Sequence, residues 1–189
     1  MFTRNCVYCG SSPGGDADYA RSAEDLADAL VSNNIELVYG GAHKGIMGVL
    51  ADAVLARGGK VQGVIPKLLQ EKEIAHTGLT ELHVVTSMHE RKSMIAALSD
   101  GFIALPGGFG TLEELIEILT WGQLQFHDKP CGVLNVNGYF DQLLAFLDHM
   151  QDEKFLKPEN RSMLLADSTP TGLLAQFESY EPPGREKWL

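Results

Sequence analysis

Short apolar runs alternate with amphipathic stretches along most of this chain, and that alternation limits the possible folds more than any other feature. Runs at 5–9, 35–39, 61–65, 82–85, 101–105 and 132–136 have the length and continuity of buried strands. Between them, stretches at 16–32, 46–56, 87–99 and 112–125 place apolar residues at helical spacing, as Tyr19, Ala23, Leu26, Ala27 and Leu30 do in the first. Further helical patterns lie at 139–150, 158–165 and 171–179, while the polar stretch 67–80 reads as irregular. Strands and helices in this order, joined by short connections, predict an α/β fold: a mostly parallel sheet covered by helices on both faces, in a single domain. A chain of 189 residues suits one domain, expected over 1–181, with 182–189 as a loosely held tail.

Ligands of such sheets bind beyond the carboxyl ends of the strands, and three glycine-rich loops, at 10–15, 40–48 and 106–110, fall there. The last is the most distinctive. Pro106-Gly107-Gly108-Phe109-Gly110-Thr111-Leu112-Glu113-Glu114 joins the run ending at Leu105 to a helix with Leu112, Leu115, Ile116 and Leu119 on one face. Glycines at such a corner let the backbone turn tightly and approach a ligand, and unpaired amides at a helix start attract an anion, above all a phosphate. Thr111-x-x-Glu114 also fits a simple capping box, and three glycines and a proline in five residues exceed what capping requires.

The formal net charge of −10 argues against nucleic acid or an anionic membrane as partner. No apolar stretch reaches the roughly 18 residues of a membrane span, and residues 1–5 lack the pattern of a signal peptide, so a cytoplasmic protein is expected. Three cysteines form no disulfide framework. Cys6-Val7-Tyr8-Cys9 matches C-x-x-C but falls on a strand, where residues three apart point to opposite faces. The six histidines show no zinc-ligand spacing, so no metal site is expected.

Gly10-Ser11-Ser12-Pro13-Gly14-Gly15 is not a dinucleotide fingerprint, and the second strand ends in Tyr39-Gly40-Gly41 without a ribose-binding acid. Gly40 to Gly45 has the glycine spacing of a phosphate-binding P-loop, but Ile46 and Met47 replace its Lys and Ser/Thr. A mononucleotide cradle remains, with chemistry left to side chains. Arg91 is one candidate: it shares a helical stripe with Met88, Met94, Ile95 and Leu98, where an arginine must find an anion, snorkel, or pair with a core carboxylate. Glu114, near the start of the helix at the glycine corner, is the other.

Cys9-Gly10-Ser11-Ser12, Tyr39-Gly40-Gly41, Gly45-Ile46-Met47-Gly48, Met88-His89-Glu90-Arg91-Lys92 and the stretch from Pro106 to Glu114 resemble, in order, the LOG family over roughly 4–180. These are the cytokinin riboside 5'-monophosphate phosphoribohydrolases, long mislabelled as lysine decarboxylases. The resemblance implies a Rossmann-like homodimer that hydrolyses the N-glycosidic bond of a purine nucleoside 5'-monophosphate to free base and ribose 5-phosphate, without a cofactor. It places Arg91 and Glu114 at catalytic positions and Glu73, Lys92, Gly108, Phe109, Gly110, Thr111, Leu112, Glu113 and Thr120 at substrate-contacting ones. Gly107 and, from the other glycine loops, Gly10, Ser11, Gly40, Gly41 and Met47 complete the expected binding set. Ala42 stands where the family has a third glycine, which leaves contacts at that loop open.

The chemistry is coherent without the family. Cleaving a base–ribose bond passes through an oxocarbenium-like state that Glu114 can stabilise, with Arg91 binding ribose or phosphate oxygens or orienting Glu114. A binding or carrier module without turnover is the alternative, but a passive phosphate cradle has no use for a carboxylate beside its anion. Apolar groups around the helix at 112–125, among them Ile116, Ile118, Trp121, Leu124 and Phe126, exceed what one sheet face can bury and point to a second subunit.

Overall fold

The structure, a computed structural model, describes residues 2–72 and 74–184. Among these, seven strands form one parallel sheet: β1 (Arg4–Tyr8), β2 (Glu36–Tyr39), β3 (Val61–Pro66), β4 (Glu81–Val85), β5 (Gly101–Ala104), β6 (Cys131–Leu134) and β7 (Leu164–Asp167), in the order β4-β3-β2-β1-β5-β6-β7. The chain leaves β1 toward β2 on one side and returns to β5 on the other, with Asn5 paired to both Leu37 and Gly101. That reversal opens a crevice at the carboxyl ends of β1 and β5, between the loops at 10–15 and 106–110.

Side chains alternate along the strands and divide the core in two. Val7, Leu37, Tyr39, Val61 and Ile103 face α1 (Ala17–Ser32), α2 (Gly45–Ala56) and, further along the chain, α8 (Pro170–Glu178). Cys6, Tyr8, Val38, Val64, Phe102 and Ala104 face α4 (Met88–Leu98), α5 (Phe109–Gln123) and α6 (Asp141–Asp152). Cys6 and Cys9 therefore lie in opposite layers, and burial pushes both thiols well above the ordinary cysteine range. Burial alone pushes Cys131 up to about 12.

Local signals explain some element starts. Asp16 caps α1 by accepting from Asp18 N at 2.9 Å, and Ser87 caps α4 by accepting from Glu90 N at 3.1 Å. The Glu90 carboxylate then accepts from the Thr86 amide and hydroxyl, both at 2.7 Å, so the reciprocal half of this cap falls one residue before Ser87. At 158–165 the expected helix is confined to α7 (Pro158–Arg161), and β7 follows it. The run Met163-Leu164-Leu165-Ala166 lacks β-branched residues, and pairing with β6 overrides its helical propensity. The irregular stretch 67–80 contains a short helix, α3 (Lys67–Glu71), and then folds back so that Ala75 bridges Ala42. Residues 185–189, most of the expected tail, lie outside the described residues.

Candidate active site

Arg91 sits one turn into α4 and is 9% exposed. Its Nε donates to the Val64 carbonyl within β3 at 3.1 Å, and its Nη1 donates to Glu114 Oε1 at 2.5 Å. Glu114 comes from the second turn of α5 with its side chain 14% exposed. The sequence offered Arg91 either a catalytic place or a buried carboxylate partner. The structure brings these together, because the partner is the other catalytic candidate. Gly40 leaves room for the arrangement: a Cβ there would lie 2.5 Å from Arg91 Nη2. Met47 borders the same space, its sulfur 3.3 Å from that Cβ position, and its amide reaches the Gly10 carbonyl at 3.4 Å.

At the glycine corner, α5 starts from Gly108 with no side-chain cap and no acidic residue in its first turn. Thr111 and Glu114 therefore do not form a capping box. Thr111 lies inside the helix, 4% exposed, filling the space that a side chain at Gly107 would need, and Glu114 turns to Arg91. Gly10 N donates to the Pro106 carbonyl at 3.2 Å, and Leu112 N to the Gly108 carbonyl at 3.1 Å. The amides of residues 107–111 have no acceptor among the described residues. They make an anion cradle at the positive end of a fifteen-residue helix. Gly10, Ser11, Gly107 and Gly108 line a cleft of about 300 Å³ there, with Tyr19 and Tyr139 on its wall. Phe109, next in the chain to Gly108, is 94% exposed.

The remaining predicted contacts divide. Lys92 is held by Glu113 and, at 3.1 Å, by Glu117, tying α4 to α5. Burial works against its ammonium, yet the hydrogen bonds it donates to Glu113 and Glu117 outweigh it and hold the group above the usual lysine range. Two residues expected on the substrate thus pair with each other. Thr120 donates to the Ile116 carbonyl at 2.7 Å and lies six residues beyond Glu114, roughly 9 Å along the helix, so one subunit does not bring it to the corner. Gly41 is buried, with its carbonyl accepting from His76 N at 2.9 Å. Glu73 lies outside the described residues. Sequence reasoning missed Val64, whose carbonyl holds Arg91, and Tyr139, whose hydroxyl reaches Gly107 at 2.7 Å. No local pattern announces a backbone acceptor or a contact 32 residues away. Among the described residues, no group of three or more His, Cys, Asp or Glu side chains is gathered as metal ligands would be.

A partly buried carboxylate held by a guanidinium, next to a row of free amides, can bind a phosphorylated sugar and face positive charge with negative charge. Comparison with known proteins places the chain in a family and a fold. Residues 47–177 match the family model described as "possible lysine decarboxylase". The chain is 50% identical over 182 residues to a probable cytokinin riboside 5'-monophosphate phosphoribohydrolase of Oryza sativa subsp. japonica, covering 96% of this chain and 74% of that one. It is 48% identical over 181 residues to a cytokinin riboside 5'-monophosphate phosphoribohydrolase of Arabidopsis thaliana, covering 96% and 84%. Among solved structures, the molybdenum cofactor binding protein of Rippkaea orientalis superposes with a TM-score of 0.71 at 19% identity, covering 95% of this chain and 97% of that one. The molybdenum cofactor carrier protein of Chlamydomonas reinhardtii gives 0.70 at 17%, with the same coverage. At these identities the two structures speak for the fold alone.

Proposed function

For a chain that belongs to the LOG family of cytokinin riboside 5'-monophosphate phosphoribohydrolases, we propose hydrolysis of the N-glycosidic bond of a purine nucleoside 5'-monophosphate. The observation that carries this reading is the part-buried Arg91–Glu114 pair beside the uncapped start of α5. In the reaction, water attacks C1', the C1'–N bond breaks with its electrons passing to the base, and the base takes up a proton. The products are free base and ribose 5-phosphate. Free amides at 107–111 hold the 5'-phosphate, and that remote binding positions the sugar. Glu114 opposes the charge developing at C1' and helps deprotonate the attacking water. Arg91 orients Glu114 and offers Nη2, beside Gly40, to ribose oxygens.

Gly10, Ser11, Gly40, Gly41, Met47, Glu73, Lys92, Gly107 to Glu113 and Thr120 form the binding set in this reading. The catalytic unit spans 1–181 and needs no cofactor. AMP and its N6-substituted relatives are the substrate class, and the protein works as a cytoplasmic homodimer. A net charge of −10 supports the exclusion of nucleic acid, and exposed apolar groups on α5 support a second copy.

Incubation of the purified protein with AMP, followed by chromatography for adenine, tests the reading, with Glu114→Gln as its internal control. Glutamine keeps the shape and removes the charge, so kcat falls by a factor on the order of a hundred while the melting temperature barely moves. Binding of AMP without release of adenine would leave a nucleotide-binding module in place of the enzyme, and near-normal turnover by the variant would return Glu114 to a structural role.

A further inference from the structure

The anion cradle depends on which way two successive peptide planes point. In a trans peptide the C=O and N–H point in opposite directions, and the chain holds no cis bond among the described residues. The Pro106 carbonyl is held by Gly10 N at 3.2 Å, and the next carbonyl, Gly107, by the Tyr139 hydroxyl at 2.7 Å. Fixing these two oxygens turns the amides of Gly107 and Gly108 the other way, where neither has an acceptor among the described residues. One tether is backbone and cannot be lost by substitution. The other is a single side chain from a different part of the sheet.

The turn between β6 and α6 is built so that Tyr139 reaches that carbonyl. Asn137 and Gly138 adopt left-handed backbone in succession, with φ of 50° and 70°. Asn135 fastens the turn from inside, accepting from Phe140 N at 2.7 Å and donating to Asp141 at 2.7 Å. Asn137 fastens it from outside, donating to Asp18 at 2.8 Å. The Tyr139 ring is gripped edge-on by Tyr19 at 5.7 Å and by Phe140 at 5.1 Å, which leaves its hydroxyl committed to Gly107. The residue remains 43% exposed on the wall of the cleft that Gly107 and Gly108 line.

We infer that Tyr139 is a positioning residue for the substrate's phosphate: its hydroxyl holds the Gly107 carbonyl so that the Gly108 amide faces the anion. The inference rests on the nucleotide reading for the identity of the ligand, and on the geometry of the corner for everything else. Tyr139→Phe removes one oxygen and leaves the ring contacts in place. Its KM for AMP rises about tenfold, the scale of one hydrogen bond lost from a binding loop, and the loss falls on KM rather than kcat. Calorimetry with ribose 5-phosphate gives a matching loss in affinity, whereas adenine binds the variant and the parent alike.

The binding arm needs no turnover. If the parent protein releases no adenine from AMP but the variant still loses affinity for ribose 5-phosphate, the hydrolase reading fails and the role of Tyr139 stands. Unchanged ribose 5-phosphate affinity in a folded Tyr139→Phe protein overturns the role, whether or not AMP is cleaved. So does an equal loss for adenine and ribose 5-phosphate, which marks a general loosening of the cleft.

Discussion

The Arg91 guanidinium is held on each of its three nitrogens: by the Val64 carbonyl, by Glu114, and by the confines of Gly40. The first two contacts stabilise the charge, while the third only excludes other positions. This makes Gly40 a probe of placement rather than of chemistry. In Gly40→Ala the new methyl carbon would lie 2.5 Å from Arg91 Nη2, closer than such atoms approach, so the guanidinium must shift away from Glu114 or the loop must move. Because catalysis is sensitive to displacements of this size, kcat/KM is expected to fall by one to two orders of magnitude, on the order of ten- to a hundredfold. The melting temperature should change little, since Gly40 lies in a loop outside the two core layers. Steady-state kinetics beside a thermal melt decides the matter, and a variant as active as the parent shows that Arg91 needs no such confinement.

Where the elements join, Asp100 clamps the amino ends of β1 and β5. Its carboxylate accepts from the Thr3 amide and hydroxyl at 2.8 Å each and from Arg4 N at 3.0 Å, while Asp100 N donates to the Arg4 carbonyl at 2.7 Å. Partial burial opposes ionisation, but the hydrogen bonds from Thr3 and Arg4 outweigh it and hold the carboxyl below the ordinary aspartate value of 3.8. A carboxyl group whose folded value is depressed stabilises the fold above its unfolded value, and that contribution is lost as pH falls through the folded one. Asp100→Ala is therefore less stable to denaturant than the parent at pH 7, and the gap between their midpoints narrows as pH drops below 3.8. A gap of constant size from neutral to acid pH assigns the clamp to something other than the ionised carboxylate. This clamp was legible only in part: the strand at 101–105 was evident from its apolar run, but nothing near Asp100 in sequence points to residues 3 and 4.

At the scale of the whole molecule, the layer over the α4–α5 face is incomplete. Leu115 and Ile118 enter the core at 0% and 3% exposure, whereas Ile116, Leu124 and Phe126 remain 41%, 45% and 74% exposed. Beside them Trp121, Phe126, His127 and Lys129 line a cavity of about 590 Å³. A helix buried on one side and apolar on another calls for a second surface, and a second copy of the chain is the proposed occupant. Light scattering at micromolar concentration should give twice the 20.6 kDa chain mass, and Phe126→Asp should shift the population to monomer while leaving the fold intact. A fully active monomeric parent protein would remove the dimer from this account.

Periodicity is a local property, so the sequence by itself determined the strands and helices that bury a continuous face, the parallel sheet they imply, and the carboxyl edge where the glycine loops gather. It also singled out Arg91 and Glu114, because an arginine in an apolar stripe and a carboxylate in a helix start beside a phosphate loop are each locally out of place. Only the tertiary structure decided that these two meet, across 23 residues and two helices, and that Glu114 serves Arg91 rather than its own helix end. It alone turned the end of the stretch 158–165 into a seventh strand, since Leu and Ala accept either state and the neighbouring β6 chooses. The role of Gly40 and the reach of Tyr139 to Gly107 belong to the same class. Spacing along a chain specifies which face a side chain occupies. It does not specify which distant residue waits there, because that follows from strand order and the path of each turn, which are settled when the layers pack.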